Sequence, residues 1–371
     1  RMAALSALMT SIFHATMQNA GIEALAISLS AALVGAFFCR EIRLRGSALK
    51  AGALAGLTGS VLAIGIGIAS GGAGMASINH ALASLVMGLF TGGLVLTAMP
   101  LIEHVFKVAT DATLFELTDF NHPLLRRMQV EAPGTYHHSL MVANLSENAA
   151  VAVGANPILC RACSLFHDIG KMAQPHYFTE NQGEFGNPHN RQNPAMSALI
   201  IKSHVKEGIE MARESGLPKI LRDVIRQHHG TTLVKYFYHQ AKQKIKQEKL
   251  PYGDIDTEEP DESTYRYDGP KPRFKESAII FFADSVEAAA RSLSKVTQHS
   301  VEELLENIFQ DRLEDSQLDE CPLTLEEVAK IKKSFTKTTL NMLHTRIEYP
   351  DEDKSGSSSP FSDQSNKISK P

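Results

Sequence analysis

The chain has 371 residues, 43% hydrophobic and 21% charged, with 37 basic and 41 acidic side chains and a formal net charge of −4. That balance excludes a strongly basic nucleic-acid-binding chain, and four cysteines are too few for a disulfide framework. The charges are unevenly placed: residues 1–103 carry eight, residues 104–371 carry the other 70, and residues 51–102 carry none, which does not suit a single globular domain.

Four apolar stretches come first, at residues 2–19, 21–39, 49–71 and 80–102. Crossing a bilayer takes about 20 residues, within a range of about 17–25. The last three stretches fit comfortably. The first is marginal, because it holds Thr10, Ser11, His14 and Gln18. A run of 52 residues without a charge argues against the buried hairpin of a soluble protein, so all four are read as membrane helices. The basic loop Arg40-Glu41-Ile42-Arg43-Leu44-Arg45, with Lys50, is expected on the cytoplasmic side by the positive-inside rule. The uncharged connection at residues 71–79 then lies outside, and everything after residue 103 is cytoplasmic. Gly52 and Gly56, like Gly88 and Gly92, are spaced to let helix backbones approach closely.

A connector spans residues 104–130, helical at residues 113–118 and broken by Asn121-His122-Pro123. Beyond it, Leu140, Val142, Ala143, Leu145, Ala149 and Val153 predict an amphipathic helix ending at Gly154. Pro157 opens a helix that runs into His167-Asp168-Ile169-Gly170-Lys171. Cys160 and Cys163 on it form a C-x-x-C, read as two small buried residues rather than a redox or zinc site. Helices are expected at 194–214, 218–229, 274–294, 300–310 and 324–346. The charged stretch 240–272 is expected to be a long solvated loop, its basic half offset by the acidic residues that follow. Residues 348–371 are rich in Ser, Asp and Lys and are expected to be a disordered tail. No run of alternating strands is visible, so the polar part is predicted all-helical, a domain over residues 131–347.

One ordered set of residues carries chemistry: His138, His167-Asp168, His204, His228-His229 and Asp284, separated by 29, 36, 24 and 55 residues. Each alone has a bland reading as a polar or core residue. Asp284 is more informative, because a carboxylate among Phe281, Phe282 and Val286 is costly to bury alone. A metal would compensate it, as would a buried Arg or an exposed helix face. Imidazoles and carboxylates suit iron, manganese or zinc. Seven such ligands exceed one closed tetrahedral site and suit two metals about 3.5–4 Å apart, with positions left for water and substrate. His137 adjoins His138 and points about 100° away on a helix, so only one of them faces the metals. His138 is taken as the ligand, although spacing alone does not decide between them.

The series His…His-Asp…His…His-His…Asp resembles the HD superfamily of metal-dependent phosphohydrolases. Ala132-Pro133-Gly134-Thr135-Tyr136-His137-His138-Ser139, His167-Asp168-Ile169-Gly170-Lys171, His228-His229-Gly230, Tyr267-Asp268-Gly269-Pro270-Lys271-Pro272 and the connector Leu117-Thr118-Asp119-Phe120-Asn121-His122-Pro123-Leu124-Leu125 narrow the likeness. Together they resemble the bacterial seven-transmembrane HD proteins, the PgpH-type cyclic-di-AMP phosphodiesterases, over residues 1–345. The chain opens on Arg1 rather than Met, and the resemblance implies that residues 1–103 are the last four of seven helices. It implies that His138, His167, Asp168 and Asp284 hold one metal and that Asp168, His204, His228 and His229 hold a second, with Asp168 bridging. The metals are expected to be manganese or iron. Asp168 and Lys171 are the expected catalytic residues, Lys171 as a phosphate contact. The chain reads Gly230-Thr231-Thr232-Leu233 after its His-His pair, without the Gly-Tyr-Pro of HD-GYP cyclic-di-GMP enzymes. The expected reaction is hydrolysis of cyclic-di-AMP to pApA by an all-α protein of the bacterial inner membrane. Rival readings are an HD hydrolase of cyclic-di-GMP or a (d)NTP, and a non-catalytic nucleotide sensor. Expected partners are the cyclic dinucleotide and the bilayer, with self-association left open and no nucleic acid.

Overall fold

A computed structural model describes residues 2–17, 21–39, 45–72, 74–183, 186–249, 259–293 and 295–344. Among them all regular secondary structure is helical, and the only β-type pairing is an isolated bridge between Leu233 and Arg266. The expected basic loop at 40–44 and the expected tail lie outside the described residues.

The first region comprises α1 (Met2–Met17), α2 (Ile22–Phe38), α3 (Ser47–Ala69) and α4 (Met75–Phe106). Among the described residues, α3 and α4 are long and apolar enough to cross a membrane, and α1 and α2 are shorter apolar helices of 16 and 17 residues. The second stretch, expected at residues 21–39, forms α2 within one residue of those bounds at each end. At about 1.5 Å per residue, α2 reaches about 26 Å, at the short limit for the hydrocarbon core. Conversely α4 has 32 residues, about 48 Å, and must project beyond that core at its ends. Its outward side chains are large and apolar: Leu82, Phe90 and Leu94 are all exposed, as a core helix of a soluble protein would not allow. The α3–α4 contact is made by glycines. A Cβ on Gly88 would lie 2.6 Å from Gly56 Cα, and one on Gly52 would lie 2.8 Å from Gly92 Cα. The two backbones therefore touch directly, as the small-residue spacing predicts.

Below α4 the chain turns at Lys107 and enters α5 (Asp111–Leu117), capped by Thr110. Arg45 joins the two regions: it approaches Glu103 at 3.6 Å and Glu116 at 2.8 Å, while Thr113 Oγ1 donates to Glu103 at 2.9 Å. His122 breaks the chain as expected, but Pro123 immediately opens a further helix, α6 (Pro123–Glu131).

Four helices then follow: α7 (Pro133–Val153), α8 (Pro157–Phe166), α9 (Pro194–Glu214) and α10 (Lys219–Gln227). Short 3₁₀ turns fill the polar segment between α8 and α9. The stretch expected as a loop contains α11 (Lys235–Lys249) and α12 (Glu262–Tyr265), with residues 250–258 outside the described set. The expectation failed because Lys, Gln and Glu are good helix formers, and Phe237, Tyr238 and Ala241 give α11 a stripe that packs on Ala198 and Tyr265. α13 (Lys275–Ala290), α14 (Gln298–Glu314) and α15 (Leu325–His344) complete the fold.

α13 is the central helix: every residue from Ser277 to Asp284 is buried. A helix apolar on all sides belongs in a core. Phe282 stacks on Phe309 of α14 with ring centroids 4.0 Å apart, and Phe309 meets Phe335 of α15. Cys160 and Cys163 of α8 are buried in the same core as free thiols.

Candidate metal centre

Five elements deliver the ordered residues to one place. His138 stands on α7, His167 and Asp168 at the end of α8, His204 on α9, His228 and His229 at the end of α10, and Asp284 on α13. The turn after α8 is pressed against α9 so closely that a Cβ on Gly170 would overlap the His204 carbonyl and the Gly208 backbone. Glycine is therefore required where the His167-Asp168 pair meets His204. The Leu233–Arg266 bridge performs the same service for Tyr267, whose ring stacks on His229 at 4.2 Å.

Asp168 is the hub. Its Oδ2 lies 3.4 Å from His138 Nε2 and 3.3 Å from His167 Nε2. Its Oδ1 lies 3.3 Å from His204 Nε2 and 3.5 Å from His228 Nε2. Asp284 Oδ1 is 3.0 Å from His138 Nε2 and its Oδ2 is 3.5 Å from His229 Nδ1. Two groups of four can each converge on one ion: His138, His167, Asp168 and Asp284, and Asp168, His204, His228 and His229. Asp168 belongs to both and turns one oxygen toward each.

The donors suit a divalent cation. Asp168 is 1% exposed and His167 0%. Among the described residues, His167 Nε2 and both Asp168 oxygens have no hydrogen-bond partner, an arrangement that is costly unless a cation supplies one. Lys171 Nζ approaches Asp168 Oδ2 at 2.8 Å as an ion pair without hydrogen-bond geometry. Behind the cluster, His167, His204 and His228 turn Nδ1 to the carbonyls of Ser164, Ile201 and Ile225 at 2.7, 2.5 and 2.7 Å, so each directs Nε2 inward.

Electrostatics divides the histidines. Burial holds His204 down at about 4 and holds His229 well below its ordinary value, with His228 adding to both shifts, so these imidazoles are neutral ligands near pH 7. Burial also opposes charge on His167 and His138, but carboxylates outweigh it. Asp168 and Asp284 raise His167 to about 9, and Asp168, Asp284 and Glu287 raise His138 well above its ordinary value. Protons on these two are what a bound cation would displace. Asp168 and Asp284 remain ionised: burial opposes it, but His167 and Lys171 lower the first, and His138 and His167 the second.

Lys171 is half-buried rather than free in a loop, held between Asp168 and Glu180 at 2.8 Å each. His137 is exposed and belongs to neither group, while His138 is 2% exposed and belongs to one. Sequence reasoning missed Glu287 and Glu180. Glu287 stands three residues after Asp284 on the same helix face, a signal that was available. Glu180 sits in a 3₁₀ turn without periodicity. A cavity of about 710 Å³ between α2, α3 and α4 is lined mainly by Ala and Gly. It lacks the convergent polar set found at Asp168, so the chemistry is assigned to the histidine cluster.

Residues 135–289 match the HD domain family, and residues 1–110 match the family described as 7TM receptor with intracellular HD hydrolase. The cyclic-di-AMP phosphodiesterase PgpH of Bacillus subtilis is 46% identical over 273 residues, 74% of this chain and 37% of that protein. PgpH of Listeria monocytogenes is 45% identical over 254 residues, 68% of this chain and 34% of that protein. The chain thus spans about a third of the length of these curated relatives. The crystal structure of the Listeria monocytogenes PgpH HD domain matches with TM-score 0.55 and 45% identity, covering 60% of this chain and all of that one. The same domain in complex with cyclic-di-AMP matches equally, over 62% of this chain and all of that one. On these matches, and on the site that its helices assemble, the chain belongs to the seven-transmembrane HD-domain family.

Proposed function

We propose that this chain hydrolyses cyclic-di-AMP to the linear dinucleotide pApA at a two-metal centre built on Asp168. The observation that carries the reading is the pair of four-residue groups sharing Asp168, in a chain 45% identical to an HD domain crystallised with cyclic-di-AMP. His138, His167, Asp168 and Asp284 hold one ion and Asp168, His204, His228 and His229 the other; oxygen and imidazole donors suit manganese or iron. When bound, such a pair supplies Lewis acidity and a water of lowered pKa for attack at phosphorus.

The chain's own groups do the rest. Asp168 aligns the two halves of the site through its two oxygens. Neutral His204 and His229 keep the second group from repelling a cation. Lys171 places a half-buried ammonium beside Asp168, and we assign it the contact to a substrate phosphate. Its pairing with both Asp168 and Glu180 means that a phosphate shares it with a carboxylate. The domain division follows: membrane helices at 1–103, a connector at 104–130 and the hydrolase at 131–347 on the cytoplasmic side of the bacterial inner membrane. A reporter fused after residue 110 should then read cytoplasmic and one after residue 75 external; the same location for both would refute the orientation.

The decisive assay incubates the chain, in detergent and with Mn²⁺, with cyclic-di-AMP and follows pApA. Turnover supports the proposal. Binding without turnover would replace it with a nucleotide sensor. Turnover of cyclic-di-GMP or a dNTP in preference would move the substrate and leave the site.

A further inference from the structure

Asp284 and Glu287 on α13 and Arg291, the residue that caps its C-terminus, stand at intervals of three and four residues, which places them along one face of that helix. His138 of α7 meets this face with both ring nitrogens. Its Nε2 looks into the cluster, 3.0 Å from Asp284 and 3.4 Å from Asp168. Its Nδ1 looks out of it and is hydrogen-bonded to Glu287 Oε2. That same oxygen is ion-paired with Arg291 Nη2 at 2.8 Å, and this nitrogen also lies 3.3 Å from His138 Nδ1. Glu287 is 8% exposed and belongs to neither group of four. The other three Nε2-directed histidines turn Nδ1 to a backbone carbonyl, and among the described residues only His138 uses a carboxylate for this purpose.

We propose that Glu287 is a positioning residue for His138: it accepts a hydrogen bond from Nδ1–H, which keeps the proton on Nδ1 and leaves the Nε2 lone pair for an ion, and Arg291 holds Glu287 in place. The inference rests on the two-metal reading and adds to it a specific asymmetry. An ionised acceptor makes an imidazole a better donor than a carbonyl does, and loss of such a partner typically weakens metal affinity about 10–100-fold. The effect falls on the ion held by His138, His167, Asp168 and Asp284, and leaves the other intact. A buried glutamate that merely packs, with Arg291 cancelling its charge, would show no such selectivity.

The test is calorimetric titration of the full chain with Mn²⁺ alone, with electron paramagnetic resonance reporting coupling between adjacent ions. Wild type should bind two ions and show the coupled signal. Glu287→Ala should weaken one of them about 10–100-fold and lose the coupled signal at limiting Mn²⁺, with the second affinity unchanged. Glu287→Gln keeps the shape and an acceptor oxygen but not the charge, and should fall between Ala and wild type. Arg291→Ala, at a side chain 41% exposed, should fold and show a smaller loss of the same ion. If Glu287→Ala does not fold, the Gln and Arg291 variants carry the test. Two ions bound with wild-type affinities in the folded variants would overturn the role of Glu287 alone. Fewer than two ions in the wild type would overturn the two-metal reading, and with it this inference.

Discussion

Helices α1–α4 and helices α7–α13 are built on opposite rules. In the first region the contacts are made by small uncharged residues, Gly52 and Gly56 against Gly88 and Gly92, while large apolar groups such as Phe90 face outward. In the second the outside is charged, and the centre holds Asp168, His167, His138 and Asp284, each under 9% exposed. A lipid solvent accounts for the first pattern: apolar surface gains nothing by hiding from hydrocarbon, so packing falls to residues that let backbones touch. Water accounts for the second only in part. Burying this many ionisable groups opposes folding unless they satisfy one another or a cation. The lesson is that exposed leucine and phenylalanine mark a solvent, whereas buried histidine and aspartate mark chemistry. Arg45, Glu103, Thr113 and Glu116 lie where the two rules meet.

The comparison breaks most sharply at Asp168. Asp168→Ala should abolish cyclic-di-AMP turnover, by at least about 10³-fold or roughly 4 kcal/mol of barrier, while the apolar core stays folded. Activity within tenfold of wild type would mean that the buried carboxylate is structural. Next in size is the aromatic stack. Phe309→Ala removes the partner of Phe282 and should lower the unfolding free energy of the histidine-bearing region by about 3–5 kcal/mol. Denaturant unfolding that changes by under about 1 kcal/mol would show that the core is not centred there. Smallest is the close approach in the membrane region. Gly88→Leu forces α3 and α4 apart and should cost about 1–3 kcal/mol in that region alone. Thermal melts in detergent that leave the α3–α4 pair as stable as wild type would contradict direct backbone contact; a loss of Mn²⁺ uptake would contradict the independence of the two regions.

Much of the site was legible because its residues are rare types in a fixed order. His138, His167-Asp168, His204, His228-His229 and Asp284 lie far apart in the chain, yet the helices bring them together around one carboxylate. What escaped was what holds them. Glu287 and Glu180 are ordinary glutamates until their partners, His138 and Lys171, are located in space. Lys171 was expected as a phosphate contact, and its position between two carboxylates depends on how a 3₁₀ turn lies over α7. For the fold, helix periodicity located α7, α9, α10 and α13 well. α11 was missed because its charges suggested a loop, although its buried stripe has only three members.

The central claim, that this cluster is a two-metal centre hinged on Asp168, is tested most directly by metal analysis of the chain purified without oxygen. The account predicts two divalent transition-metal ions per wild-type chain and loss of both in Asp168→Ala. A catalytically active wild type holding one ion or none, or an Asp168→Ala chain that keeps both, would contradict it.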